Sequence, residues 1–203
     1  MKRVMVIGCS GAGKSTFALE LGRITGIKVT HLDRLNWKAG WKEVSRDEFD
    51  SKLGDVLKED SWIIDGNYSR TMEKRLEKVQ VVLSFRLSTA FCLYGYFTRL
   101  IKGKLGKKRI DMTEGCNERF DWDFVKFIAG FQRDNAKRTD KLLEKYPYVK
   151  VVRFSSRQRA EKFLIGLEEH YDKKLGDVRK NVGELKGFGI VGRTLFAPTD
   201  MLF

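Results

Sequence analysis

The chain has 203 residues, 42% of them hydrophobic, which suffices for one domain with a substantial core and makes two full domains too many. Its formal net charge of +13 asks for an anionic partner, and its three cysteines, Cys9, Cys92 and Cys116, are too scattered for a disulfide framework or a C-x-x-C zinc pair. The longest apolar run, residues 90–94, is too short to cross a bilayer, so a soluble protein of the reducing cytoplasm with no membrane partner is expected.

Arg3-Val4-Met5-Val6-Ile7 reads as a first strand that runs directly into Gly8-Cys9-Ser10-Gly11-Ala12-Gly13-Lys14-Ser15-Thr16. This run satisfies G-x-x-x-x-G-K-[ST], and a helix over residues 14–25 ending near Gly26 completes the strand, loop and helix order that the motif requires. Lys28 to Asp33 is expected as a second strand ending in a carboxylate. Residues 34–44 show no clear period, and Ser45-Arg46-Asp47-Glu48 is a capping box opening a helix to about Glu59. A short buried strand, Ser61 to Gly66, ends in Asp65, and a helix from about Tyr68 to Glu77 leads to a central strand over residues 79–86.

A long helix through Leu100 comes next, then a glycine-bearing cationic excursion over residues 102–119. Phe120, Phe124, Phe127 and Phe131 recur at helical spacing, so a helix from about Asp121 to Lys145 should lay one apolar stripe on the core. Residues 148–154 form the last strand and Ser156 to about Tyr171 a closing helix, while residues 173–203, with five glycines, read as a loosely attached or disordered tail. Strands alternating with helices argue for an α/β fold on a parallel sheet.

The glycine loop carries the chemistry. Its backbone N–H groups can converge on phosphate oxygens, Lys14 can bridge the terminal phosphates, and the Ser15 hydroxyl is placed to ligate Mg²⁺. Gly8, Ser10, Gly11, Ala12, Gly13, Lys14, Ser15 and Thr16 are therefore the candidate contacts for ATP. Ligands of such sheets sit beyond the carboxyl ends of the strands, where both Asp33 and Asp65 belong. Asp65 is the choice to complete the Mg²⁺ shell with Ser15, and Asp33 the choice to touch the acceptor as a general base. Phosphoryl transfer also asks for cations on the moving group, for which Arg70 and Arg133 are candidates beside Lys14. Arg70 has Glu73 and Glu77 as competing partners, and Arg138 has Asp134. Trp37 and Trp41 either wall a pocket or fill the hollow beneath an insertion. Residues 78–110 contain no Asp or Glu but eight Lys and Arg, a block suited to a triphosphate, an acidic substrate or a nucleic-acid backbone.

In this order, the phosphate cradle, the Asp33 strand, Asp65-Gly66, Arg70, the basic excursion and Arg133 resemble the adenylate-kinase-like branch of P-loop kinases over residues 1 to about 170. Within it, His31-Leu32-Asp33-Arg34-Leu35-Asn36-Trp37 with Trp62-Ile63-Ile64-Asp65-Gly66-Asn67-Tyr68 looks like the bacterial topology modulation proteins. The resemblance implies a P-loop NTPase three-layer sandwich with a central parallel sheet of about five strands, in a domain over residues 1–172. It implies an acceptor flap at 34–60, a lid at 102–119, ATP bound by the cradle, Arg70 on an acceptor phosphate and Arg133 behind the lid. Asp65 to Thr71 departs from the adenylate kinase Asp-Gly-aromatic-Pro-Arg-Thr run by lacking the proline and carrying one extra residue. With Cys116 as its one cysteine, the lid cannot carry a four-ligand zinc site.

The leading expectation is a kinase that moves the γ-phosphoryl of ATP·Mg²⁺ to a small-molecule acceptor. The alternative is a nucleic-acid-binding protein with regulatory or vestigial ATP binding, although no helix-turn-helix, zinc-finger or RNA-binding signature is present. A partner-driving ATPase ranks last, since the strand at 79–86 supplies no separate acid.

Overall fold

The computed structural model describes residues 1–107 and 109–186, the last thirteen of these as helical backbone. β1 (Arg3–Gly8) leads through the glycine loop into α1 (Lys14–Thr25), β2 (Val29–His31) and a short α2 (Leu32–Asn36). A ribbon of β3 (Trp37–Lys38) and β4 (Lys42–Glu43) precedes α3 (Arg46–Val56) and β5 (Trp62–Asp65). A 3₁₀ turn (Ser69–Thr71) runs into α4 (Met72–Leu76), followed by β6 (Val81–Phe85) and α5 (Thr89–Lys104). After the lid segment come α6 (Trp122–Gly130), a π turn (Gln132–Ala136), α7 (Lys137–Leu143), β7 (Lys150–Phe154) and α8 (Arg157–Lys186).

The main sheet has five parallel strands in the order β2-β5-β1-β6-β7. β1 lies at its centre because it is apolar on both faces: Val4 and Val6 pack into one cluster with α1, α5 and α8, while Met5 and Ile7 pack into another with α3 and α4. These two cores make the three-layer sandwich expected of the sequence. The order also sets β2, β5, β1 and β6 side by side, so the ends carrying Asp65, Gly8 and Phe85 open on one edge beside His31.

Several boundaries moved for local reasons. β2 stops at His31, and Asp33 lies in the first turn of α2, a helix not expected from the unpatterned stretch 34–44. The helix expected from Asp121 to Lys145 is broken at Gln132–Ala136, where the Ala136 N–H reaches back five residues to the Phe131 carbonyl at 2.9 Å. Its phenylalanine stripe is not all core: Phe131 is buried, whereas Phe127 is 40% and Phe120 50% exposed. The closing helix runs past Tyr171 to Lys186, so the segment 173–203 begins as helix, and residues 187–203 lie outside the described residues. Cys9, Cys92 and Cys116 are free and buried, and among the described residues no helix is long and apolar enough to cross a membrane.

Candidate active site

The glycine loop turns through left-handed backbone at Gly11 (φ 79°) and Gly13 (φ 98°) before α1 begins. A Cβ on Gly11 would stand 2.1 Å from the Cys92 carbonyl oxygen, so only glycine lets the loop lie against α5. No side chain caps the start of α1, which leaves its first N–H groups facing an open cleft. The Lys14 ammonium folds onto the loop and donates to the Cys9 carbonyl at 2.9 Å. Arg157, which the sequence did not single out, reaches the loop from α8 and donates to the carbonyls of Gly11 (2.6 Å) and Ala12 (3.2 Å).

The Ser15 hydroxyl donates to Asp111 Oδ2 at 2.8 Å, so the carboxylate brought to it comes from the lid. Asp65, expected beside Ser15, is instead 95% buried with its Oδ2 2.9 Å from His31 Nδ1. The parallel register sets His31 opposite Asp65, which makes this pairing a direct consequence of strand alignment. Asp111 accepts two hydrogen bonds from Arg109, at 2.9 and 2.8 Å. Arg109 also pairs with Glu118 at 3.1 Å and stands 3.7 Å from Asp33. Burial opposes ionisation of Asp111, but the Arg109 contacts and the Ser15 hydroxyl outweigh it and hold this carboxyl well below the usual range.

Asp33 behaves oppositely. Desolvation under the closed lid raises its pKa against the pull of Arg109 and of the Tyr68 hydroxyl, which donates to Oδ1 at 2.9 Å. Its side chain keeps 41% exposure to the cleft, so the carboxyl is enclosed yet reachable by a ligand.

The loop after β5 is fixed from two sides. Asn67 accepts from the Gly8 N–H at 2.9 Å and donates to the Gly8 carbonyl at 2.8 Å, tying the loop after β5 to the start of the glycine loop. Arg75, fully buried, donates to the carbonyls of Gly66 and Tyr68 at 2.9 Å, to that of Thr71 at 3.3 Å and also to that of Asn67. Burial pushes this guanidinium down to about 9, still charged at neutral pH. The clamp holds Tyr68 at φ 37°, a left-handed conformation that a tyrosine adopts only under external constraint.

Arg70 and Arg133 stand outside the cleft lining. Arg70 pairs with Asp50 of α3 at 2.8 Å and sits over the Phe49 ring, leaving Glu73 and Glu77 without it. Arg133 pairs with Asp134 at 2.9 Å and is 78% exposed, because the π turn swings it outward, and Arg138 lines the cleft instead. Three arginines of the basic block are drawn inward, Arg86 onto Asp140 and Arg99 with Arg109 onto Glu118, while Lys78, Lys102, Lys104 and Lys107 stay exposed.

The lid lies on the flap. Thr113 Oγ1 donates to the Trp37 carbonyl (2.6 Å), Trp41 Nε1 to the Asn117 carbonyl (2.9 Å), and the Gly40 N–H to the Gly115 carbonyl (3.1 Å). Trp37 and Trp41 pack edge to face at 5.4 Å, outside the cleft lining, so they hold the lid rather than wall the pocket. The cleft measures about 1250 Å³ and runs from His31, Asp33 and Tyr68 past the glycine loop to Arg138 and Arg157. That is ample for a nucleotide and a small second substrate.

No family model matches the chain, and no curated protein sequence does. Among solved structures, a gluconokinase from Sinorhizobium meliloti 1021 shares the fold at TM-score 0.50 and 11% identity, over 89% of this chain and 97% of that one. Lesser likenesses include a shikimate kinase from Acinetobacter baumannii in complex with shikimate (TM-score 0.49, 14% identity, 89% and 94% covered) and a deoxyadenosine kinase from M. mycoides (0.41, 15%, 87% and 99%). The architecture is therefore the P-loop kinase fold.

Proposed function

We propose that this chain is a phosphotransferase that moves the γ-phosphoryl group of ATP to a small acceptor. A shared fold does not carry a function. The observation that carries this reading is the uncapped start of α1, with Lys14 and Ser15, lying in one cleft with the Asp33 carboxyl and an arginine of the 102–119 segment, Arg109. Transfer needs a phosphate cradle, an acceptor-side base, positive charge on the moving group and exclusion of water, and the cleft has a residue for each.

In this mechanism the loop N–H groups and Lys14 hold the β- and γ-phosphates, and Arg109 exchanges one of its carboxylate partners for a γ-phosphate oxygen. Asp33 takes the proton of the attacking oxygen as a new bond to phosphorus forms and the bond to the ADP oxygen breaks. Ser15 Oγ and Asp111 Oδ2 are two hard oxygen donors 2.8 Å apart, the donor type that Mg²⁺ prefers. Among the described residues no group of three or more His, Cys, Asp and Glu is spaced to hold a metal, so Mg²⁺ held by Ser15 and Asp111 would also need oxygens of the nucleotide. Bound there, Mg²⁺ would neutralise charge developing on the phosphates. Nucleic-acid binding draws no support from the interior ion pairs that absorb Arg86, Arg99 and Arg109.

The test is acceptor-dependent formation of ADP from labelled ATP and Mg²⁺, with Lys14→Ala as control. The reading expects a labelled product that Lys14→Ala reduces at least about a hundredfold. Slow phosphate release indifferent to every acceptor would replace it with simple hydrolysis.

A further inference from the structure

The wall of the cleft opposite the glycine loop is built by the ends of β2 and β5 and by the turns that follow them. It presents His31, Asp33, Asp65, Asn67, Tyr68 and Ser69. These include two carboxylates and no lysine or arginine. The nearby cations are engaged elsewhere: Arg70 on Asp50 outside the cleft, Arg75 on backbone carbonyls in the core, and Arg109 among Asp111, Glu118 and Asp33. An acceptor bearing a phosphate or carboxylate would find Arg109, already shared among three carboxylates, as the cation facing this wall.

His31 and Asp65 add a second, independent observation. Both line the cleft, both are at least 95% buried, and each keeps one polar atom without a partner: Nε2 of the imidazole and Oδ1 of the carboxylate. Buried polar atoms are ordinarily satisfied, so an orphan pair at a cleft wall marks a place for ligand groups. His31 Nδ1 stands 2.9 Å from Asp65 Oδ2, and the tautomer that carries its proton on Nδ1 presents a lone pair at Nε2. The wall then holds two orphan acceptors beside the Asp33 carboxylate, and what matches them is a set of hydroxyl donors.

We infer, on the strength of the phosphotransferase reading above, that the acceptor is an uncharged polyhydroxy compound, a neutral sugar, polyol or nucleoside, whose hydroxyls are read by His31 Nε2 and Asp65 Oδ1 while Asp33 receives the proton of the attacking one. That hydroxyl oxygen bonds to the γ-phosphorus, the phosphorus–oxygen bond to ADP breaks, and the proton passes to the Asp33 carboxylate.

The test compares ribose, glycerol and adenosine with gluconate and AMP as acceptors of labelled phosphate from ATP·Mg²⁺. The inference expects transfer to a member of the neutral set at least about tenfold more efficiently than to either anion. Preference for AMP or gluconate overturns the acceptor class and leaves the phosphotransferase reading standing, whereas no acceptor-dependent transfer at all overturns both. His31→Gln and Asp65→Asn should raise KM for the neutral acceptor at least about tenfold with kcat changed less than about threefold and calorimetric affinity for ATP·Mg²⁺ retained. An unchanged acceptor KM in both variants sinks the assignment, and the wild-type comparison decides the acceptor class even where a variant fails to fold.

Discussion

The Ser15 hydroxyl and the Asp111 carboxylate meet at 2.8 Å, joining the first turn of α1 to a lid residue 96 positions away in the chain. This contact places a lid anion where a metal-bound phosphate would approach the cradle, and Arg109 holds it there through two hydrogen bonds. If Asp111 joins the metal shell, Asp111→Asn should raise the Mg²⁺ concentration for half-maximal ATP binding by about tenfold, equivalent to about 1.4 kcal/mol. Calorimetric ATP titrations at stepped Mg²⁺ check this; an unaltered Mg²⁺ requirement reduces Asp111 to a lid latch.

Asp33 supplies a pH signature. Desolvation raises its folded-state pKa above the ordinary 3.8, so its contribution to stability is whole below the unfolded pKa and is lost as pH rises through the folded one. Asp33→Asn should therefore melt higher than the parent at pH 8, with the gap closing toward pH 4. The same substitution should slow transfer about 10²- to 10⁴-fold and remove an acid limb of the rate profile lying above the usual aspartate range. Calorimetric melting and pH–rate profiles measure the two effects separately.

Arg75 is the structural keystone of the acceptor wall. Its removal takes a hydrogen bond in the core from each of the carbonyls of Gly66, Asn67, Tyr68 and Thr71, so Arg75→Met should cost about 3–5 kcal/mol in urea denaturation. Arg75→Lys should recover little of it, because an ammonium cannot reproduce the guanidinium fork that spans several acceptors. A lysine variant as stable as the parent would show that charge alone suffices.

Thr113 supplies one of the hydrogen bonds that seat the 102–119 segment on the β3–β4 ribbon. Thr113→Val deletes the 2.6 Å hydrogen bond to the Trp37 carbonyl, and a buried hydrogen bond is worth about 1 kcal/mol, roughly a fivefold shift toward the open lid. Tryptophan emission from Trp37 and Trp41 should shift to the red, and phosphate release to water should grow relative to transfer, since the lid keeps water out. Identical emission and unchanged partitioning would count against a gating role for this contact.

Much of the scaffold is legible in the residues because it depends on neighbours in sequence. The β-branched run before Gly8, the glycines at the φ-positive positions of the loop, and the capping box at Ser45, whose hydroxyl accepts from the Glu48 N–H at 3.1 Å, all encode local geometry. The wide turn at Gln132–Ala136 was not legible, since the phenylalanine period continues through it while the backbone does not. Nor was the placement of Arg70, whose helical neighbours Glu73 and Glu77 lose to Asp50 on a separate helix. Arg75 and Arg157 carried no signal beyond being two more cations in a strongly basic chain.

By itself, then, the order of residues determined that a glycine loop of the phosphate-binding pattern stands between a buried strand and a helix, and that an acid, Asp65, closes the strand beside it. Only the tertiary structure decided which acid each group meets: parallel register bonds Asp65 to His31, and the docked lid carries Asp111 to Ser15. The physical reason is range. Backbone preferences and hydrophobic period act over a few residues, whereas a carboxylate's partner is whichever donor the packed elements bring within about 3 Å, however distant along the chain.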